Sequence, residues 1–173
     1  MRTLVLGLGN DLLGDDAVGL LAVRALRQGL PPDGETEVVE TGLAGLALLD
    51  HFLGFDRALI LDSICTGRVP AGTVSEIAPA DLHAVEAPSP HFAGLPELLA
   101  LAERLELPFP ADVRILAIET ADPYTLGAAL TPAVAAGLTE LVARAREILA
   151  QPVRPAAPTA ARPTAAAAEP GRA

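Results

Sequence analysis

The chain has 173 residues, 51% of them hydrophobic and 20% charged, with 12 Arg, no Lys and 22 acids for a formal charge of −10. So much apolar material supports a sizeable core and excludes wholesale disorder, while the acidic balance disfavours nucleic acid and anionic membrane surfaces, both of which need clustered cations. A single cysteine, Cys65, excludes an internal disulfide and a thiolate metal site, and reads as a small packing residue.

In chain order, residues 3–6 predict a buried strand and 15–30 a helix with Val18, Leu21, Val23, Ala25 and Leu26 on its apolar side. A second strand over 37–40 and a helix over 45–52 follow. The run 57–61 is continuously apolar, as in the middle of a parallel sheet. Val74 and Ile77 alternate with polar residues over 73–77, which suits an exposed edge, antiparallel in direction. A helix over 96–105, a buried strand over 113–118 and a long helix opening at Thr131 and Pro132 and running to 149 complete the pattern. Five strands and four helices in this alternation predict an α/β domain over residues 1–150, a mostly parallel sheet with helices on both faces.

Residues 151–173 contain nine Ala and five Pro, and predict a disordered tail. Without it the body carries nine Arg against 21 acids, a charge of −12, so the acidity belongs to the domain. The longest charge-free run, 123–139, is 17 residues broken by Pro132 and two Gly, too short and too interrupted for a membrane span. Arg2 is followed by only a short apolar stretch, which is not a signal-peptide pattern, and the cytoplasm is the expected compartment.

Ligands of such sheets collect beyond the carboxyl ends of the strands, and acids stand at every one of those ends: Asp15 and Asp16, Glu40, Asp62 and Glu119. Gly7-Leu-Gly9 followed by Glu40 suggests a dinucleotide site, but the third glycine of that fingerprint is replaced by Leu12, expected to obstruct helix–strand contact. Asp15 and Asp16 also place negative charge where a pyrophosphate would sit. On spacing alone, Asp15 and Asp16 read first as a helix cap and a dipole partner. Asp62 ends the apolar run and is expected beside Asp16, where two like charges need a cation or a shared proton. Of the histidines, His51 reads as a surface residue and His83 has no evident partner. His91, between Pro88-Ser89-Pro90 and Gly94-Leu95-Pro96, sits in a loop suited to presenting a side chain. Two carboxylates and one imidazole with positions left open suit a divalent transition metal, such as nickel, zinc or cadmium. Ser63, Ser89 and Cys65 lack the surroundings of a nucleophile.

The run Gly7-Leu-Gly9-Asn10-Asp11-Leu-Leu-Gly14-Asp15-Asp16-Ala-Val-Gly19 resembles the N-terminal motif of the nickel–iron hydrogenase maturation endopeptidases. Glu40-Thr-Gly42-Leu-Ala-Gly45, Leu61-Asp62-Ser63, Ser89-Pro-His91-Phe-Ala-Gly94-Leu95 and Leu130-Thr-Pro132-Ala-Val134 agree in order, so the resemblance spans residues 1 to about 149. It implies an α/β/α sandwich with a five-stranded mixed sheet. It further implies an endopeptidase that removes a C-terminal extension from a hydrogenase large-subunit precursor after nickel insertion. The family's metal-binding trio falls on Asp16, Asp62 and His91, thought to recognise nickel carried by the precursor, with Asp or Glu at the first acid. On this reading Asp16 and Asp62 are the groups expected to assist water attack, and no cofactor is tightly bound. A non-cleaving, nickel-sensing chaperone that docks on the same precursor is the alternative.

Overall fold

The computed structural model describes residues 1–31, 34–84, 90–127 and 129–154. Five strands, β1 (Thr3–Leu8), β2 (Thr36–Thr41), β3 (Arg57–Ile64), β4 (Val74–Ile77) and β5 (Asp112–Glu119), form one sheet in the order β2-β1-β3-β5-β4. All neighbours are parallel except β4, which pairs antiparallel with β5 at the edge.

The apolar runs are continuous because both faces are covered. Strand alternation sends Leu4, Leu6, Leu8, Ala58, Ile60, Ile115 and Ala117 into one core with Phe52, Leu95 and Leu98. Val5, Leu59, Leu61, Leu116 and Ile118 enter a second core with Val18, Val23, Leu26, Leu141 and Ile148. The first core lies under the short helix α2 (Leu49–Phe52) and α3 (Leu95–Arg104); the second lies under α1 (Val18–Arg27) and α4 (Pro132–Ala150). Three layers result, as expected, and each fully buried Leu or Ile contributes about 1.5–3 kcal/mol.

Element boundaries differ from expectation where tertiary contacts intervene. Residues Asp15–Ala17 form a 3-10 turn before α1, and Gly45–Leu48 another before α2, so two predicted helices begin as tighter turns. Strand β3 continues through Asp62 and Ser63 to Ile64 instead of stopping at Leu61, because β5 keeps pairing with it to Glu119.

At the amino end of the sheet, Arg57 and Asp112 face each other as the first residues of β3 and β5, 3% and 5% exposed. Arg57 Nε donates to Asp112 Oδ2 at 3.3 Å, and its other nitrogens donate to the carbonyls of Ile148, Leu149 and Gln151. A buried guanidinium thus caps the C-terminus of α4, whose last carbonyls have no partner within the helix. The beginning of the expected tail is therefore tied to the body: Gln151 also accepts from Arg114, and Arg154 N donates to Asp112. The rest of that expectation, on 155–173, lies outside the described residues. No helix among the described residues is long and apolar enough to cross a membrane.

Candidate metal centre at the carboxyl edge

The strand order reverses direction between β1 and β3, since β2 lies to one side of β1 and β3 to the other. This switch point opens a crevice above the carboxyl ends of the two strands. Glycines let α1 close on it: a Cβ on Gly19 would stand 2.2 Å from the Leu8 carbonyl oxygen and 2.5 Å from that of Leu61, and one on Gly9 would stand 2.2 Å from the Asp16 carbonyl oxygen. The glycine-rich run therefore brings the start of α1 against the ends of β1 and β3. Leu12, expected to obstruct that contact, is instead 68% exposed and takes no part in it, because Gly19 makes the close approach.

The turn ahead of α1 carries Asp15 and Asp16, both buried, and neither caps its own helix. Asp15 reaches across the edge: its Oδ1 accepts from Thr131 N at 2.7 Å and its Oδ2 from Thr131 Oγ1 at 2.9 Å. It holds the start of α4, which leaves Asp16 as the acid that faces the crevice. Asp62 is fully buried in β3, and His91, 7% exposed, comes from the 3-10 turn Pro90–Phe92 just before α3. One ligand atom from each of Asp16, Asp62 and His91 lies within 4.8 Å of the other two. His91 Nε2 is 3.2 Å from Asp16 Oδ2, the spacing of two ligands side by side on one ion with bonds of about 2.0–2.2 Å.

The electrostatics agree with a cation-seeking site. Burial opposes the charged form of His91, but the bond to Asp16, the charges of Asp62 and Asp16 and a backbone hydrogen bond to Leu43 outweigh it, raising the imidazole above its ordinary 6.5. A proton on His91 partly answers the two carboxylates, as a metal ion would do more completely. The Leu43 bond is the kind of outer-sphere contact that fixes ring orientation in a ligating histidine. The donor set, two hard oxygens and one borderline nitrogen, fits a divalent transition metal with coordination positions left for a second molecule.

The other strand-end acids do different work. Glu40 accepts from Arg24 and Arg27, which binds β2 to α1 and occupies the carboxylate that a ribose would have needed. Glu119, 3% exposed, accepts from the amides of Thr66 and Gly67 and from Thr66 Oγ1, and so shapes the loop after β3. His51 is half-buried on α2, His83 falls in the 3-10 turn Pro79–Ala84, and Cys65 is half-buried just beyond β3. Ser63, which reads in the sequence only as a poor nucleophile, donates its hydroxyl to Asp16. Its position directly after Asp62 was the available signal.

A family model described as hydrogenase maturation protease matches residues 20–148. The hydrogenase 2 maturation protease of Escherichia coli K12 is 33% identical over 155 residues, covering 85% of this chain and 92% of that protein. The chain belongs to the hydrogenase maturation protease family. Solved structures of this family share the fold. The maturating endopeptidase HybD from E. coli superposes with a TM-score of 0.75 at 30% identity, covering 86% of this chain and 92% of its own. The NiFe hydrogenase maturation protease HybD from Thermococcus kodakarensis does so at 0.67 and 30% identity, covering 86% and 99%. Membership in the hydrogenase maturation proteases carries peptide-bond hydrolysis as the reaction, and the five-stranded mixed sheet is the framework that positions it.

Proposed function

We propose that this hydrogenase maturation protease removes a C-terminal extension from the precursor of a nickel–iron hydrogenase large subunit, and that Asp16, Asp62 and His91 contact nickel already seated in that precursor. The observation that carries the reading is the buried convergence of two carboxylates and one imidazole within 4.8 Å at the switch point. A protein bearing the metal is favoured over the free ion by the surroundings. Leu12, Leu43, Tyr124 and Leu126 on loops, and Leu46 in the 3-10 turn Gly45–Leu48, all exposed, stand on the segments that follow β1, β2 and β5 at this same edge. Two of these loops are zipped together, with Gly127 N donating to Leu12 O and Gly14 N to Thr125 O, both at 2.9 Å. Such an apolar rim suits a polypeptide surface. Beside it a cleft of about 430 Å3, with Asn10, Gly42 and His91 in its walls, leaves room for an extended segment.

In this reading, nickel carried by the substrate would be held by Asp16, Asp62 and His91, where it would mark the precursor as ready for cleavage and would supply Lewis acidity. Asp16 and Asp62 hold the precursor in register, and one of the two carboxylates takes a proton from the attacking water as its oxygen adds to the carbonyl carbon. That proton passes to the amide nitrogen as the carbon–nitrogen bond breaks, leaving a new carboxylic acid, which keeps the second hydrogen of the water, and a free amine. The Leu43 contact keeps the His91 ring turned toward Asp16 throughout.

The test is to incubate the purified chain with nickel-loaded precursor and measure intact masses. Loss of one C-terminal fragment is expected; a stable complex of unchanged mass would support the chaperone reading and contradict this one.

A further inference from the structure

Ser63 touches both aspartates of the trio. Its hydroxyl donates to Asp16 Oδ1 at 3.0 Å, its backbone amide donates to Asp62 Oδ1 at 2.7 Å, and the residue is 1% exposed. Strand alternation explains how one residue reaches two layers. Ala58, Ile60 and Ile64 face the α2–α3 core, and Asp62 shares their parity; Leu59 and Leu61 face the α1–α4 core, and Ser63 shares theirs. Asp16 arrives with α1 on that second side, whereas His91 arrives with α3 on the first. Ser63 therefore joins, through its side chain on one face and its amide in the strand, the two acids that the fold delivers from different elements.

We propose that Ser63 is a positioning residue: it engages one oxygen of each aspartate and so fixes which oxygens face an incoming metal ion. The inference rests on reading Asp16, Asp62 and His91 as nickel ligands. A carboxylate that rotates freely offers either oxygen, or both, and pays for that freedom in ordering when a metal binds. With Oδ1 of Asp16 taken by the hydroxyl, Oδ2 is the oxygen directed to the ligand cluster, and it is the one 3.2 Å from His91 Nε2. The hydroxyl also offsets part of the repulsion between the two acids before any cation arrives. Outer-sphere partners of this kind change metal affinity by about 10–100-fold when removed.

The experiment titrates nickel(II) directly into the full chain by calorimetry and records the visible spectrum of the cobalt(II) adduct, with no precursor present. Ser63→Ala, which deletes the hydroxyl but not the amide, is expected to weaken nickel binding about 10–100-fold and to shift the cobalt bands as Asp16 changes its mode of ligation. Ser63→Thr, which keeps the hydroxyl, is expected to stay near wild type in both. Circular dichroism and urea midpoints establish that each variant is folded. Should Ser63→Ala fail to fold, Ser63→Val makes the same comparison against Ser63→Thr, which it matches in shape while lacking the hydroxyl. A folded variant lacking the hydroxyl with wild-type affinity and spectrum overturns the proposal, as does equal weakening by Thr. A wild-type chain that binds neither ion overturns the ligand assignment along with it, whereas one that binds both but leaves the precursor intact overturns only the proposed function.

Discussion

The two ends of the sheet bury charge in opposite ways. At the amino end, Arg57 and Asp112 form an ion pair 3% and 5% exposed, and the guanidinium spends its remaining donors on three carbonyls at the end of α4. The cation is built in, and the result is a brace between sheet and helix. At the carboxyl end, the buried set is two acids and an imidazole, drawn together from the turn before α1, from β3 and from the turn before α3. Its third member is an imidazole, a group that can bind either a proton or a metal ion. A permanent cation thus stands at the amino end, whereas the carboxyl end offers donor atoms that a proton or a metal ion can occupy.

That contrast can be broken most sharply at the carboxyl end. Asp16→Ala or His91→Ala is expected to lower precursor processing by about 100-fold or more, the scale on which positioned acid–base groups act, with circular dichroism unchanged. His51→Ala, on α2, is expected to process normally. Full activity in His91→Ala would erase the distinction between the ends. At the amino end, Arg57→Ala is expected to cost about 3 kcal/mol in urea unfolding, because it leaves Asp112 with only the exposed Arg154 guanidinium 3.9 Å away and the α4 carbonyls without their donor. A loss within experimental error would show that the brace contributes only surface-like electrostatics.

Truncation sharpens the same comparison at lower amplitude. Removing residues after Arg154 deletes an Ala- and Pro-rich stretch with little apolar area to bury, and is expected to leave the melting temperature unchanged. Removing residues after Ala150 also deletes the Gln151 carbonyl, which accepts from Arg57 at 2.6 Å, and is expected to cost about 1.5–3 kcal/mol, the range for a hydrogen bond to a charged group. Equal melting temperatures for the two truncations would contradict that anchor.

The smallest effect is in pH dependence. A proton and a metal ion compete for His91 Nε2, so nickel affinity falls as pH drops through the folded-state value of the imidazole, which lies above 6.5. In the metal-free protein the sign is reversed: a raised value means that protonation favours the fold, with that stability fully present below 6.5 and lost as pH rises through the folded value. Nickel should therefore stabilise the protein most on the alkaline side. Melting curves with and without nickel between pH 5 and 8 check this, and a nickel-induced shift independent of pH would contradict it.

The layers of the fold were legible because buried parallel strands must be apolar on both faces, and runs such as Ala58-Leu59-Ile60-Leu61 leave little else to be. Asp62 stood out for the same reason, as an acid following such a run, and His91 because prolines framed it. What the local pattern did not carry was the partner of each group. Asp15 looked like a cap for its own helix, but its carboxylate holds Thr131, a partner set by tertiary packing. Gln151 read as the start of a loose tail, since nothing nearby in sequence announces that Arg57 waits for its carbonyl. Ser63 is a common residue type, and its contact with Asp16 appears only once β3 is seen to continue past Leu61.

Asp16, Asp62 and His91 are proposed to share one metal ion at the carboxyl edge. Nickel K-edge X-ray absorption on the isolated chain loaded with nickel(II), compared with His91→Ala and His51→Ala, tests it most directly. The expected spectrum has a first shell of oxygen and nitrogen at about 2.0–2.2 Å, with imidazole scattering that vanishes in His91→Ala and persists in His51→Ala. Imidazole scattering unchanged in His91→Ala would contradict it.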